Sequence, residues 1–124
     1  MPRMRMMLML AALAGLLLAV PTTASATKRF RGCVAESSGC HHKFYGGDLP
    51  VIMFKDLKQA GTAYKVCIRD PVHKVCTNRA AGRKGRWHQC CTWENYVVGK
   101  HIVRWYVKGE QVARWKFRIL PEGD

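Results

Sequence analysis

The stretch His101-Ile102-Val103-Arg104-Trp105-Tyr106-Val107-Lys108-Gly109-Glu110-Gln111-Val112-Ala113-Arg114-Trp115-Lys116-Phe117-Arg118-Ile119 decides the fold. Two alternating runs, His101 to Tyr106 and Glu110 to Ile119, flank Val107-Lys108-Gly109. Successive side chains of a strand project to opposite faces, so alternation of this kind reads as a half-buried strand. The spacing predicts a three-residue hairpin loop with Gly109 at the left-handed position such loops favour. Alternation assigns Val103, Trp105, Ala113, Trp115, Phe117 and Ile119 to one face, which reads as core. The opposite face receives Ile102, Arg104, Tyr106, Val112, Arg114, Lys116 and Arg118, and is cationic.

A second hairpin precedes it. Tyr64, Val66 and Ile68 alternate with Lys65, Cys67 and Arg69, and Asp70-Pro71-Val72-His73 follows. Asp then Pro are preferred at the first two positions of a type I turn. Pairing across that turn sets Arg69 opposite Lys74, Ile68 opposite Val75, and Cys67 opposite Cys76. A Cys67–Cys76 disulfide over the polar face is therefore expected. Leu49 to Leu57 holds a further β-type run, and Arg86 to Trp93 another, separated from the Thr62 strand and the hairpins by glycine-bearing loops. No window carries an apolar stripe at helical spacing with caps. About seven short strands with turn signals between them predict an all-β sandwich or small barrel.

Toward the N-terminus, Arg3 and Arg5 precede an uncharged apolar run from Met6 to Val20, then Pro21 and Ala24-Ser25-Ala26. That pattern predicts a secretory signal peptide over 1–26, a domain over 27–120 and a tail over 121–124. The apolar run is shorter than the roughly 20 residues that span a bilayer. The chain has 124 residues and a formal net charge of +13; losing 26 residues, two basic and none acidic, leaves 98 carrying +11. Export to an extracellular or periplasmic space is oxidising, so the six cysteines read as disulfides. Adjacent Cys90 and Cys91 point to opposite faces of a regular strand. They are expected to reach separately to Cys33 and Cys40, in either order. Cys40-His41-His42 and Cys90-Cys91 lack the spacing of a zinc site, and there is no Cys-x-x-Cys for redox catalysis.

Val98-Gly99-Lys100 leading into the terminal hairpin, followed by Trp115-Lys116-Phe117, resembles the final hairpin of small bacterial immunoglobulin-like domains. There a strand opened by glycine carries a Val-x-Trp core, a Gly turn follows, and the last strand ends in Phe-x-Ile or Phe-x-Val. The resemblance covers about residues 98–119 and implies a small disulfide-stabilised immunoglobulin-like β-sandwich. It transfers no functional residues. The chain departs from antibody-type domains in showing no clear Cys…Trp…Cys pattern.

The sequence lacks Gly-x-Ser-x-Gly, His-Glu-x-x-His and a phosphate-binding glycine loop. Eight carboxylates are scattered, and His41, His42, His73, His88 and His101 each stand beside basic or polar neighbours. No enzyme, cofactor or metal is expected. Arg104, Tyr106, Arg114, Lys116 and Arg118 are the candidate polyanion-binding residues. Lys65, Arg69 and Lys74 line the polar face of the other hairpin, and Arg79, Arg83, Lys84 and Arg86 crowd one loop. A field of this sign attracts any polyanion. The reading is a secreted, non-enzymatic binding module that engages an extracellular protein or envelope partner through a basic β-surface. The alternative is a cationic effector that binds polyanions, antimicrobial or nucleic-acid-binding.

Overall fold

Residues 28–94 and 97–122 are described in the computed structural model. The expected signal peptide, 1–26, and the tail's last two residues, 123–124, lie outside them. The described residues form nine strands: β1 Phe30–Glu36, β2 Gly39–Cys40, β3 Lys43–Tyr45, β4 Val51–Asp56, β5 Ala63–Arg69, β6 Lys74–Ala80, β7 His88–Thr92, β8 Gly99–Val107 and β9 Glu110–Leu120. They build a four-stranded sheet, β2-β1-β4-β7, and a five-stranded sheet, β3-β9-β8-β5-β6. All neighbours run antiparallel except β3, which lies parallel to β9. The architecture is all-β and sandwich-like. Among the described residues there is no helix long and apolar enough to cross a membrane.

Alternation accounts for the core. Val34, Ile52 and Phe54 of the first sheet are buried with Tyr64, Val66, Ile68, Val103, Trp105, Phe117 and Ile119 of the second. Phe54 stacks on Tyr64 with centroids 4.2 Å apart, and Phe44 meets Phe117 edge-on at 5.3 Å. Trp105 fills the centre beneath β1, where Gly32 leaves room for it: a Cβ there would lie 2.5 Å from the indole. Asp56, at the end of β4, is buried and receives both Arg29 Nε and an Arg29 terminal nitrogen at 2.9 Å. Thr62 and the Lys58 N–H also donate to it. Arg29 first of all, then these other donors, hold its carboxyl well below the usual range, although burial alone would raise it.

The β5–β6 hairpin has the register expected from its turn. Arg69 pairs with Lys74, Ile68 with Val75, and Cys67 with Cys76, and the two cysteines are bonded. Asp70 closes the turn by accepting the Val72 and His73 N–H groups at 2.7 and 2.6 Å. The terminal hairpin differs in its loop. Val107 pairs with Glu110, leaving only Lys108 and Gly109 in the turn, at φ 51° and 81°. Those signs are the ones a type I′ turn requires, and its twist matches that of the strands. The extra residue instead enters a bulge, because Trp105 pairs with Ala113 but Tyr106 with Gln111.

The expected reach of Cys90 and Cys91 to Cys33 and Cys40 is corrected. Cys33 is bonded to Cys40, and Cys90 to Cys91. Ser37-Ser38 turns β1 into β2 so that Ala35 faces Cys40, which makes Cys33 the diagonal neighbour of Cys40 on one face. In β7 the alternation argument fails because the strand is bulged. Ile52 pairs with Cys91 but Met53 with Gln89, which leaves Cys90 as the inserted residue. Each bridge stays within one sheet, so none clamps the N-terminal segment to the second half of the domain.

Candidate polyanion-binding face

The residues expected to carry the positive surface lie together on the outer face of the five-stranded sheet. Paired residues of neighbouring strands share a face, so the register fixes the arrangement. Arg104 stands directly opposite Arg114, and Lys116 opposite Ile102. Arg118 faces Lys100 on one side and Lys43 on the other. Tyr106 pairs with Lys65, whose ammonium lies 5.5 Å from the phenol centroid. Arg104, Tyr106, Arg114, Lys116 and Arg118 therefore share one face, but Val112, expected among them, is the inserted residue of the bulge and packs against the core instead.

Pairing of β5 with β8 joins the two hairpins into one surface. Cys67 faces Arg104, and Arg69 faces Ile102, so Lys65, Arg69 and Lys74 extend the same face. Nine cations result: Lys43, Lys65, Arg69, Lys74, Lys100, Arg104, Arg114, Lys116 and Arg118. The outward positions of these five strands hold no carboxylate. None of the nine forms an ion pair among the described residues, where the ion pairs are Arg29–Asp56 and His73–Asp70. At the β5–β6 edge of the face the Cys67–Cys76 bridge is flanked by a shallow hollow bordered by Lys65, Lys74, Asn78 and Tyr106.

Sequence reasoning missed Lys43 and Lys100. Lys43 reaches the face only through β3, a three-residue strand with no periodic signal, and its pairing with β9 is non-local. Arg79, expected in one loop with Arg83, Lys84 and Arg86, lies instead in β6 opposite Tyr64, and the other three stay apart in the exposed loop between β6 and β7.

His41, His42, His88 and His101 are engaged within the fold. His41 Nε2 lies 2.7 Å from the Ser38 hydroxyl, and His42 Nδ1 lies 2.6 Å from the Lys116 carbonyl. His88 Nδ1 lies 2.9 Å from the Tyr64 hydroxyl, which burial pushes up to about 12. His101 is fully buried, stacked on Phe117, with Nδ1 3.0 Å from the Gly99 carbonyl. Burial holds its pKa below the ordinary value, against the opposing effects of that carbonyl and of Asp70. Among the described residues no three His, Cys, Asp or Glu side chains converge as a metal site would require.

No family model matches the chain, and no curated protein matches it in sequence.

Proposed function

We propose that the chain is an exported, non-catalytic binding module with an immunoglobulin-like sandwich. It engages a polyanionic extracellular or envelope partner through the outer face of its five-stranded sheet. Three intrasheet disulfides and the terminal hairpin support the exported, immunoglobulin-like part of the reading. The observation that carries the function is the pairing of like charges. Arg104–Arg114, Lys100–Arg118, Lys43–Arg118 and Arg69–Lys74 are direct cross-strand neighbours with no carboxylate among them. Like charges placed directly opposite destabilise a sheet. A surface needed only for solubility is served as well by mixed charges, which avoid that cost. A bound polyanion turns each repulsive pair into a bridged one. This favours a polyanion over a protein surface of mixed charge.

Chromatography on immobilised heparin and on DNA tests the reading. The protein is expected to elute late, with log affinity falling steeply and linearly with log salt. Replacing Arg114, Lys116 and Arg118 together by Gln is expected to flatten that slope by about 2–3, close to one for each lost phosphate contact. Elution alongside a neutral control of similar size would overturn it.

A further inference from the structure

One flank of the sandwich is open. β2 covers β1 only at Ala35 and Glu36, and β3 covers β9 only at Arg118, Ile119 and Leu120. Between the uncovered lengths of β1 and β9 runs a groove lined by Phe30, Trp87 and Trp115 and by Lys28, Arg31 and Arg114. Among the described residues no carboxylate lines it. The rings are held in place. Trp115 stacks on His42 with centroids 4.0 Å apart and planes 8° apart, and its indole N–H donates to the His41 carbonyl at 2.8 Å. Lys55 sits 4.3 Å from the Trp87 centroid, yet Trp87 remains 40% exposed, high for so large an apolar side chain. Arg114 belongs to both surfaces: it lines the groove and stands opposite Arg104 on the cationic face.

We infer that the polyanion is single-stranded nucleic acid, whose phosphates follow Arg118, Lys116 and Arg114 along β9 and whose bases enter this flank groove against Trp87 and Trp115. The inference rests on the polyanion reading above and narrows it. Side chains two apart on a strand lie about 6.8 Å apart on one face, so these three cations form a track that leads to the groove, which Arg114 lines. Fixed aromatic rings next to a cationic track are what sequence-tolerant binding of single strands needs, because every base offers a flat π-face. A sulfated glycan would use the cations but has no flat ring to stack. An acyl chain would meet a shallow, open cleft that leaves it in water. Duplex DNA keeps its bases stacked inside.

The test uses the purified protein with its disulfides formed and fluorescently labelled probes followed by anisotropy. The probes are a dT12 oligonucleotide, a 12-base-pair duplex and a heparin fragment of similar charge. The protein is expected to bind dT12 more tightly than either competitor at equal salt. Trp87→Ala is expected to weaken dT12 by about tenfold and to change heparin binding by less than twofold. Trp87→Phe, which keeps a flat ring, restores most of the loss. Arg114→Gln weakens both ligands. Equal affinity for dT12 and duplex would overturn the inference, as would a Trp87→Ala protein that melts like the parent and binds dT12 unchanged. In either event salt-dependent heparin binding would leave the broader polyanion reading standing. Failure of all three probes to bind at 50 mM salt would remove both.

Discussion

Neutralising Arg114 is expected to stabilise the fold while it weakens binding, and the size of the gain follows from the register. Arg114 stands directly across from Arg104, with no carboxylate on the face to offset either. For charges about 6 Å apart in water, the repulsion is about 0.7 kcal/mol before screening. Ionic screening leaves about 0.6 kcal/mol at 10 mM salt, about 0.3 at 0.15 M and less than about 0.1 at 1 M. Lys116 repels Arg114 as well, but as a sequence neighbour it does so in the unfolded chain too, and that part largely cancels. Arg114→Gln should therefore raise the unfolding free energy by about half a kcal/mol at 10 mM salt and by almost nothing at 1 M. Urea unfolding followed by tryptophan fluorescence resolves this as a shift in midpoint at unchanged m value. Lys84→Gln, in the loop between β6 and β7, is the control. A variant no more stable than the parent at 10 mM salt would refute the argument. A gain that persists undiminished at 1 M would also refute it, since the cause would then be packing and not charge.

Two further outcomes test the core. Gly32→Ala places a methyl 2.5 Å from the buried Trp105 ring; overpacking of this kind costs about 1–3 kcal/mol, so the melting temperature should fall by at least about 4 °C, and a change under 2 °C would mean that β1 yields freely. His101 is held neutral by burial below its ordinary pKa of 6.5, so its contribution is complete above about pH 6.5 and is lost as pH falls toward the depressed folded value. Asp56, with its depressed pKa, adds a second loss only as pH drops below its ordinary 3.8. Chemical denaturation between pH 7 and 5 should show a falling stability that His101→Phe abolishes; an unchanged slope in that variant would assign the titration elsewhere.

The sequence made local relationships legible and non-local ones obscure. Most of both faces of the terminal hairpin is readable because each alternates over many residues; Val112 is the exception, since a bulge leaves no mark in the alternation. The Cys67–Cys76 bridge is readable because Asp70-Pro71 fixes the centre of its turn. The joining of the two hairpins is not, since β5–β8 pairing links residues 33 to 41 positions apart and leaves no periodic trace. Nor is the Cys33–Cys40 bridge, which depends on a two-residue β2. At Cys90 the alternation of faces, which holds for regular strands, fails because the strand is bulged. The flank groove is invisible for a related reason. Trp87, Trp115 and Phe30 come from three separate segments, and only the shortness of β2 and β3 leaves the space between them uncovered.

The position of the Cys67–Cys76 bridge connects stability with the cationic face. β6 is an edge strand, exposed along nearly its whole length, so it has little apolar burial to hold it to β5. At one end of the pair Arg69 opposes Lys74, which pushes the strands apart. The disulfide joins them two residues away, at a point where any other outward pair would have to be accommodated among Arg104, Lys65 and Lys74. A covalent link contributes a few kcal/mol irrespective of salt, whereas a compensating Asp or Glu would contribute less than about 1 kcal/mol and would cancel the field. An uncharged staple is thus the solution that keeps β6 attached and the face uniformly positive. Reduction of Cys67–Cys76 should then detach β6 most readily at low salt, where the repulsion it restrains is greatest.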